Sequence, residues 1–104
     1  MKTKIDGQQL VLLNLIMISK PYTDIEVTDT YIIREFNENI DPIELKWHRD
    51  NELRIVEILG ETDWKIQLDN ELPTSLNQLI RIDKHQWHRV IKGTGTLKLK
   101  IHKS

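Results

Sequence analysis

Three side chains in the 104-residue sequence have the types and spacing to hold a cation. His48 and Asp50 sit together in Trp47-His48-Arg49-Asp50, and His88 ends His85-Gln86-Trp87-His88. On an extended backbone side chains alternate between faces, so His48 and Asp50 point the same way, about 6–7 Å apart at the backbone. From there an imidazole and a carboxylate converge on one ion, and His88 is the best candidate for a third ligand. Two histidines and a carboxylate with open positions are the ligand set typical of non-haem Fe(II), and Zn, Mn and Ni use it as well. An ion with an open position acts as a Lewis acid or activates water or oxygen. His85 is the alternative ligand to His88, although its place in a turn favours exposure.

Arg54 shares the even register of His48 and Asp50 and points inward if the strand runs on through Asn51-Glu52. There it has two uses. It can pair with Asp50 in a polar interior that binds no metal, or hold a carboxylate or phosphate of a ligand through bidentate bonds. Gln67 faces away from Trp64 and Ile66. It either adds a neutral oxygen near the site or lies on a solvated strand face.

These residues need strands to position them, and the chain supplies the pattern. Residues 30–36 read as a strand, and Asn37-Glu38-Asn39 and Asp41-Pro42 as the following turn. Residues 43–48 alternate, with Ile43, Leu45 and Trp47 on one face and Glu44, Lys46 and His48 on the other. Residues 53–59 are β-branched and apolar and end at Gly60. Residues 64–68, 79–82, 87–91 and 96–101 follow as strands, the last two joined by a hairpin turn at Lys92-Gly93-Thr94-Gly95. Many short strands at this spacing make an all-β sandwich or barrel. Residues 1–24 form a separate N-terminal segment packing on a barrel of residues 25–104. The apolar run 10–18 is too short to span a bilayer and lacks a small-residue cleavage site, so it reads as a buried strand or a short core helix.

From residue 31 to residue 101 the chain resembles the cupins, small jelly-roll β-barrels also described as double-stranded β-helices. Their first motif has His-x-His, then a Glu, then a Gly; here it reads His48-Arg49-Asp50, then Arg54, then Gly60. Their second has Pro-x-Gly-x-x-His; here it reads Asp83-Lys84-His85-Gln86-Trp87-His88. The resemblance implies that His48 and His88 keep metal-histidine positions and that Asp50 replaces the second histidine. Arg54 stands where the glutamate ligand is expected, and a guanidinium cannot ligate a metal. The chain is most similar to small, uncharacterised single-domain cupin-like proteins of phages and bacteria. The implied function is a divalent-metal protein (Fe, Mn, Zn or Ni) acting on a small molecule as an oxygenase, isomerase or hydrolase. The alternative is a metal-free ligand-binding or accessory protein. His-x-Asp with a distant histidine also resembles the 2-oxoglutarate oxygenases, which are larger and need an arginine where this chain offers only Lys98 or Lys100.

Composition limits the rest. With 38% hydrophobic and 30% charged residues the chain is globular, and a net charge of −1 leaves no footprint for nucleic acid or anionic membrane. The absence of cysteine removes disulfides and thiol chemistry and suits a reducing cytoplasm. No phosphate loop, nucleophile elbow or serine triad is present. An outward row of Ile43, Leu45 and Trp47, joined by Trp87, predicts a homodimer interface unless the run 10–18 covers it.

Overall fold

The structure is a computed structural model and describes residues 20–103. It consists of eight strands and one short helix: β1 (Thr23–Val27), β2 (Tyr31–Phe36), a 3-10 turn (Pro42–Glu44), β3 (Arg54–Ile58), β4 (Lys65–Leu68), β5 (Thr74–Ser75), β6 (Ile80–Ile82), β7 (His88–Ile91) and β8 (Leu97–Lys103). Every strand pairing is antiparallel. The strands form a five-stranded sheet in the order β1-β2-β8-β3-β6 and a three-stranded sheet in the order β5-β4-β7. This is the all-β architecture that the strand spacing predicts. No helix among the described residues is long and apolar enough to cross a membrane.

β8 shows why the larger sheet forms. Leu97, Leu99 and Ile101 are buried, while Lys98, Lys100 and His102 alternate with them on the other face. The strand therefore sits centrally, between β2 and β3. Its register sets Ile101 beside Ile32 and Val56, and Leu99 beside Arg34 and Ile58. Ile66, Leu76, Ile80 and Ile82 complete the core, with Trp64 fully enclosed at 0% exposure.

Several expectations are corrected. Residues 43–48 do not form a strand. Asp41 caps a 3-10 turn, its carboxylate accepting from Ile43 N at 3.1 Å, and Pro42 presets the first helical position. Local capping thus overrides the alternating pattern. Leu45 turns inward against the core while Ile43 stays 71% exposed, so the expected outward row of Ile43, Leu45 and Trp47 is not formed.

Residues 92–95 do not make a hairpin either. β7 belongs to the smaller sheet and β8 to the larger, so the turn carries the chain from one sheet to the other. A Cβ on Gly93 would lie 2.6 Å from Trp64 N and 2.8 Å from Asp63 C, so only glycine lets the turn lie against the 63–64 backbone. The Asp63 carboxylate then accepts from Thr94 N at 2.7 Å and Thr94 Oγ1 at 3.0 Å. The boundary expected after residue 24 falls inside β1. The reading of the run 10–18 lies outside the described residues.

Candidate metal centre

An isolated antiparallel bridge joins the two histidine segments: His48 N donates to His88 O and His88 N to His48 O, both at 2.9 Å. The segment before β3 is thereby laid along the edge of β7, and its extended backbone turns His48 and Asp50 toward the same cavity. His85 N donates to Asp50 O at 2.8 Å, which extends the attachment past the bridge.

The two imidazoles are held alike. His48 Nδ1 lies 3.1 Å from Lys46 O, and His88 Nδ1 lies 2.8 Å from Gln86 O. A carbonyl can only accept, so each Nδ1 carries a proton and each Nε2 is the ring's free ligand atom when the ring is neutral. This is the tether that orients metal-ligating histidines. The rings meet edge to face with centroids 4.2 Å apart.

His48, Asp50 and His88 each offer a ligand atom, and the three atoms lie within 4.8 Å of one another. Tetrahedral or cis ligands about 2.0–2.2 Å from one ion lie about 3–3.5 Å apart, so the set would contract by about an ångström between its atoms to close around a divalent cation. His88 is 4% exposed, and its Nε2 is 3.4 Å from Asp50 Oδ2. An Nε2 lone pair facing a carboxylate is a pair of donor atoms that a divalent cation between them would satisfy. Burial pushes the His48 pKa below its ordinary value, and the neighbouring His88 lowers it further. The hydrogen bond with His88 holds the Asp50 carboxyl below the usual carboxylate range, helped by the nearby Arg54 and opposed by burial.

Arg54, first residue of β3, points into the same cavity together with Val56. Its Nε approaches Asp50 at 3.8 Å and its Nη2 approaches Glu52 at 3.7 Å, and the buried Nε makes no hydrogen bond among the described residues. The cavity holds about 410 Å³, at the lower end of the range for small-molecule sites. Its walls are mostly apolar, including Phe36, Leu45, Val56, Val90 and Leu99.

Two other sequence candidates stand elsewhere. Gln67 does not line the cavity. On β4 it alternates with inward Ile66, and its amide is engaged by Arg89 Nε at 2.9 Å and by Glu71 O at 2.9 Å. His85 is exposed in the turn before β7, at φ 63°, and is not grouped with the three ligand atoms. It occupies the place of the glycine in the Pro-x-Gly-x-x-His motif, and its left-handed backbone is the conformation a glycine there would supply. On the face turned away from the cavity, the Arg89 guanidinium lies 4.9 Å from the Trp47 ring and that of Arg49 lies 5.1 Å from the Trp87 ring.

One cavity residue is absent from the sequence reading. Arg34 lies on β2 between buried Ile32 and Phe36, so the two-residue period carries it inward. The signal was available: an arginine flanked at i±2 by core residues.

No protein-family model matches the sequence, and no curated protein matches it significantly. Solved structures do match the fold. An RmlC-like cupin family protein with a double-stranded β-helix fold, from Methanocaldococcus jannaschii, is 11% identical with a TM-score of 0.57, over 83% of this chain and 82% of that one. A cupin domain from Bordetella pertussis is 12% identical with a TM-score of 0.54, over 84% of this chain and 97% of that one. The Fe(II) form of HppE in complex with substrate is 15% identical with a TM-score of 0.57, over 86% of this chain but 56% of that longer one. Identities this low speak to architecture alone, and they agree with what the sheets show: two antiparallel layers around an inward cavity, the double-stranded β-helix fold that these cupins share.

Proposed function

We propose that this chain binds one divalent cation through His48, Asp50 and His88 and receives a small anionic molecule in the adjoining cavity. The observation that carries the reading is that His48, Asp50 and His88 each bring a ligand atom to within 4.8 Å of the others, with both imidazoles tethered through Nδ1 to backbone carbonyls. HppE, which shares the fold and is known in Fe(II) and Co(II) forms, supports a divalent metal in this chain. A bound ion would supply Lewis acidity or activation of water or oxygen, the chemistry behind oxygenase, isomerase or hydrolase activity. The chain's own part is to orient that ion and to hold the ligand. Arg54, with an uncommitted buried Nε, supplies a charged donor for the ligand's acidic group.

A second reading has its own support. Arg54 stands where the cupin motif carries a glutamate ligand, which favours a metal-free ligand-binding or accessory protein in which a His88–Asp50 ion pair replaces the metal. Elemental analysis after loading with Fe, Mn, Zn or Ni separates the two. The first reading expects about one ion per chain, lost in His48→Ala and His88→Ala. A chain that takes up none of the four metals sustains the second.

Arg54→Met is expected to weaken binding of small carboxylates while leaving the fold intact. Unchanged carboxylate affinity would remove Arg54 from the site. The same reading places the protein in a reducing cytoplasm and assigns the Trp47–Trp87 face to a second copy of the chain. Light scattering that returns a monomer mass of 12.4 kDa would remove that dimer.

A further inference from the structure

The cavity has a second cationic pole, and Arg34 supplies it. The Arg34 side chain is 13% exposed and reaches the cavity from the floor of the larger sheet. Its Nε donates to Asp24 Oδ1 at 2.7 Å and its Nη2 to Asp24 Oδ2 at 3.2 Å. The guanidinium also lies 3.7 Å from the Tyr22 ring centroid. The head group is thus clamped on one edge and one face. Nη1 makes no hydrogen bond among the described residues, so within them its two charged N–H donors are open to a ligand on a pre-oriented fork. Burying an arginine inside a sheet is costly, and pairing it with Asp24 offsets that cost without using its full donor capacity.

The register places the two arginines at separate ends of the floor. Arg34 pairs with Leu99 and Arg54 with Lys103, four positions apart along β8. They also stand on opposite sides of β8, in β2 and β3. At about 3.3 Å per residue and about 4.8 Å per strand, their backbones are on the order of 16 Å apart. Ile101 and Val56 lie between them on the same face, both buried and both lining the cavity. Arg54 stands against Asp50 at 3.8 Å, while Arg34 is held by Asp24 on the far side of β8.

We propose that the cavity selects a small dicarboxylate, one acidic group held at the Arg54–His88 end and the other by Arg34, with a short apolar chain between them over Val56 and Ile101. The proposal deepens the function proposed above. It takes from that reading only that an anion enters the cavity at Arg54, and it does not require the ion to be bound.

The test compares acids of equal carbon number on the metal-depleted full chain, where chelation cannot imitate binding. Calorimetry would measure glutarate against pentanoate and adipate against hexanoate. The wild-type chain is expected to bind one of the diacids about tenfold or more tighter than its monoacid, the advantage one added charge-assisted contact confers. In Arg34→Gln combined with Asp24→Asn, which leaves no unpaired charge behind, that ratio falls to about one. Arg34→Lys keeps the charge and its pairing but loses the fork, and gives an intermediate ratio. Monoacids binding as well as diacids in the wild-type chain would overturn the proposal, even if the variants fail to fold. So would a diacid preference that survives in a folded Arg34→Gln/Asp24→Asn chain. Metal stoichiometry is read separately: a diacid preference in a chain that takes up no metal retains Arg34 and removes the ion, and metal uptake without the preference does the reverse.

Discussion

The two ends of β4 and β7 are built on opposite terms. At one end Trp64 is fully enclosed, packs against the Phe36 ring at 5.9 Å, and donates from Nε1 to Thr94 O and Gly95 O at 3.2 and 3.1 Å. The Asp63–Thr94 contacts close the turn over it. At the other end, four residues along, Leu68 pairs with His88. There three ligand atoms gather, and the buried Arg54 Nε, 3.8 Å from Asp50, makes no hydrogen bond among the described residues. One end satisfies its polar groups and fills its space, while the other keeps unsatisfied groups beside a cavity. Unfilled hydrogen-bonding capacity costs stability, and a fold retains it where a ligand completes the set.

The largest effect that would sharpen this contrast is expected at Trp64. Trp64→Ala should cost about 3–5 kcal/mol in denaturant unfolding, because a large side chain and its hydrogen bond leave a cavity that the interlocked turn cannot close. A cost below about 1 kcal/mol would show that this end does not anchor the fold. Gly93→Ala comes next, at about 1–3 kcal/mol, since the new Cβ meets the Asp63 carboxylate and also the backbone of residues 63–64, which cannot swing aside as a side chain can. Thermal unfolding of the variant would measure it, and an unchanged Tm would mean the turn does not press on that backbone.

At the ligand end the sign reverses. His85→Gly should stabilise the chain by up to about 1 kcal/mol, because glycine removes the strain of a left-handed residue at φ 63° but adds freedom to the unfolded chain. Metal uptake should be unaffected by that change, and its loss would return His85 to the ligand set.

The smallest effect concerns pH. Hydrogen bonds from Thr94 N and Oγ1 hold the Asp63 carboxyl below the usual carboxylate range. A depressed folded-state pKa adds stability above the unfolded value, about 3.9, and that stability is lost as pH falls through the folded value. Acid titration of Asp63→Asn should therefore show a shallower loss of stability from about pH 4 downward. An identical acid limb in both chains would deny the turn its electrostatic component.

Some of this was legible in the chain because strand chemistry is local. The β-branched run before Gly60 became β3, and the alternation after residue 96 became β8. His48 and Asp50 share a face by the same two-residue period, even though only a single bridge at His48 makes that segment strand-like. The row Ile43, Leu45, Trp47 misled because alternation alone does not weigh a capped Asp-Pro turn against extension. The strand reading of residues 30–36 does not assign its faces, and it is Ile32 and Phe36 that turn Arg34 inward.

The sequence by itself determined β2, β3, β4, β6, β7 and β8, the shared direction of His48 and Asp50, and the lack of a fourth ligand at Arg54, all properties of one segment and its period. Tertiary structure alone decided that His88 meets them, that Gln67 and His85 do not, and that the turn at residues 92–95 crosses between sheets. Those outcomes depend on which strands become neighbours. Pairing across forty residues, as between His48 and His88, is chosen by the packing of both sheets together and leaves no mark within either segment.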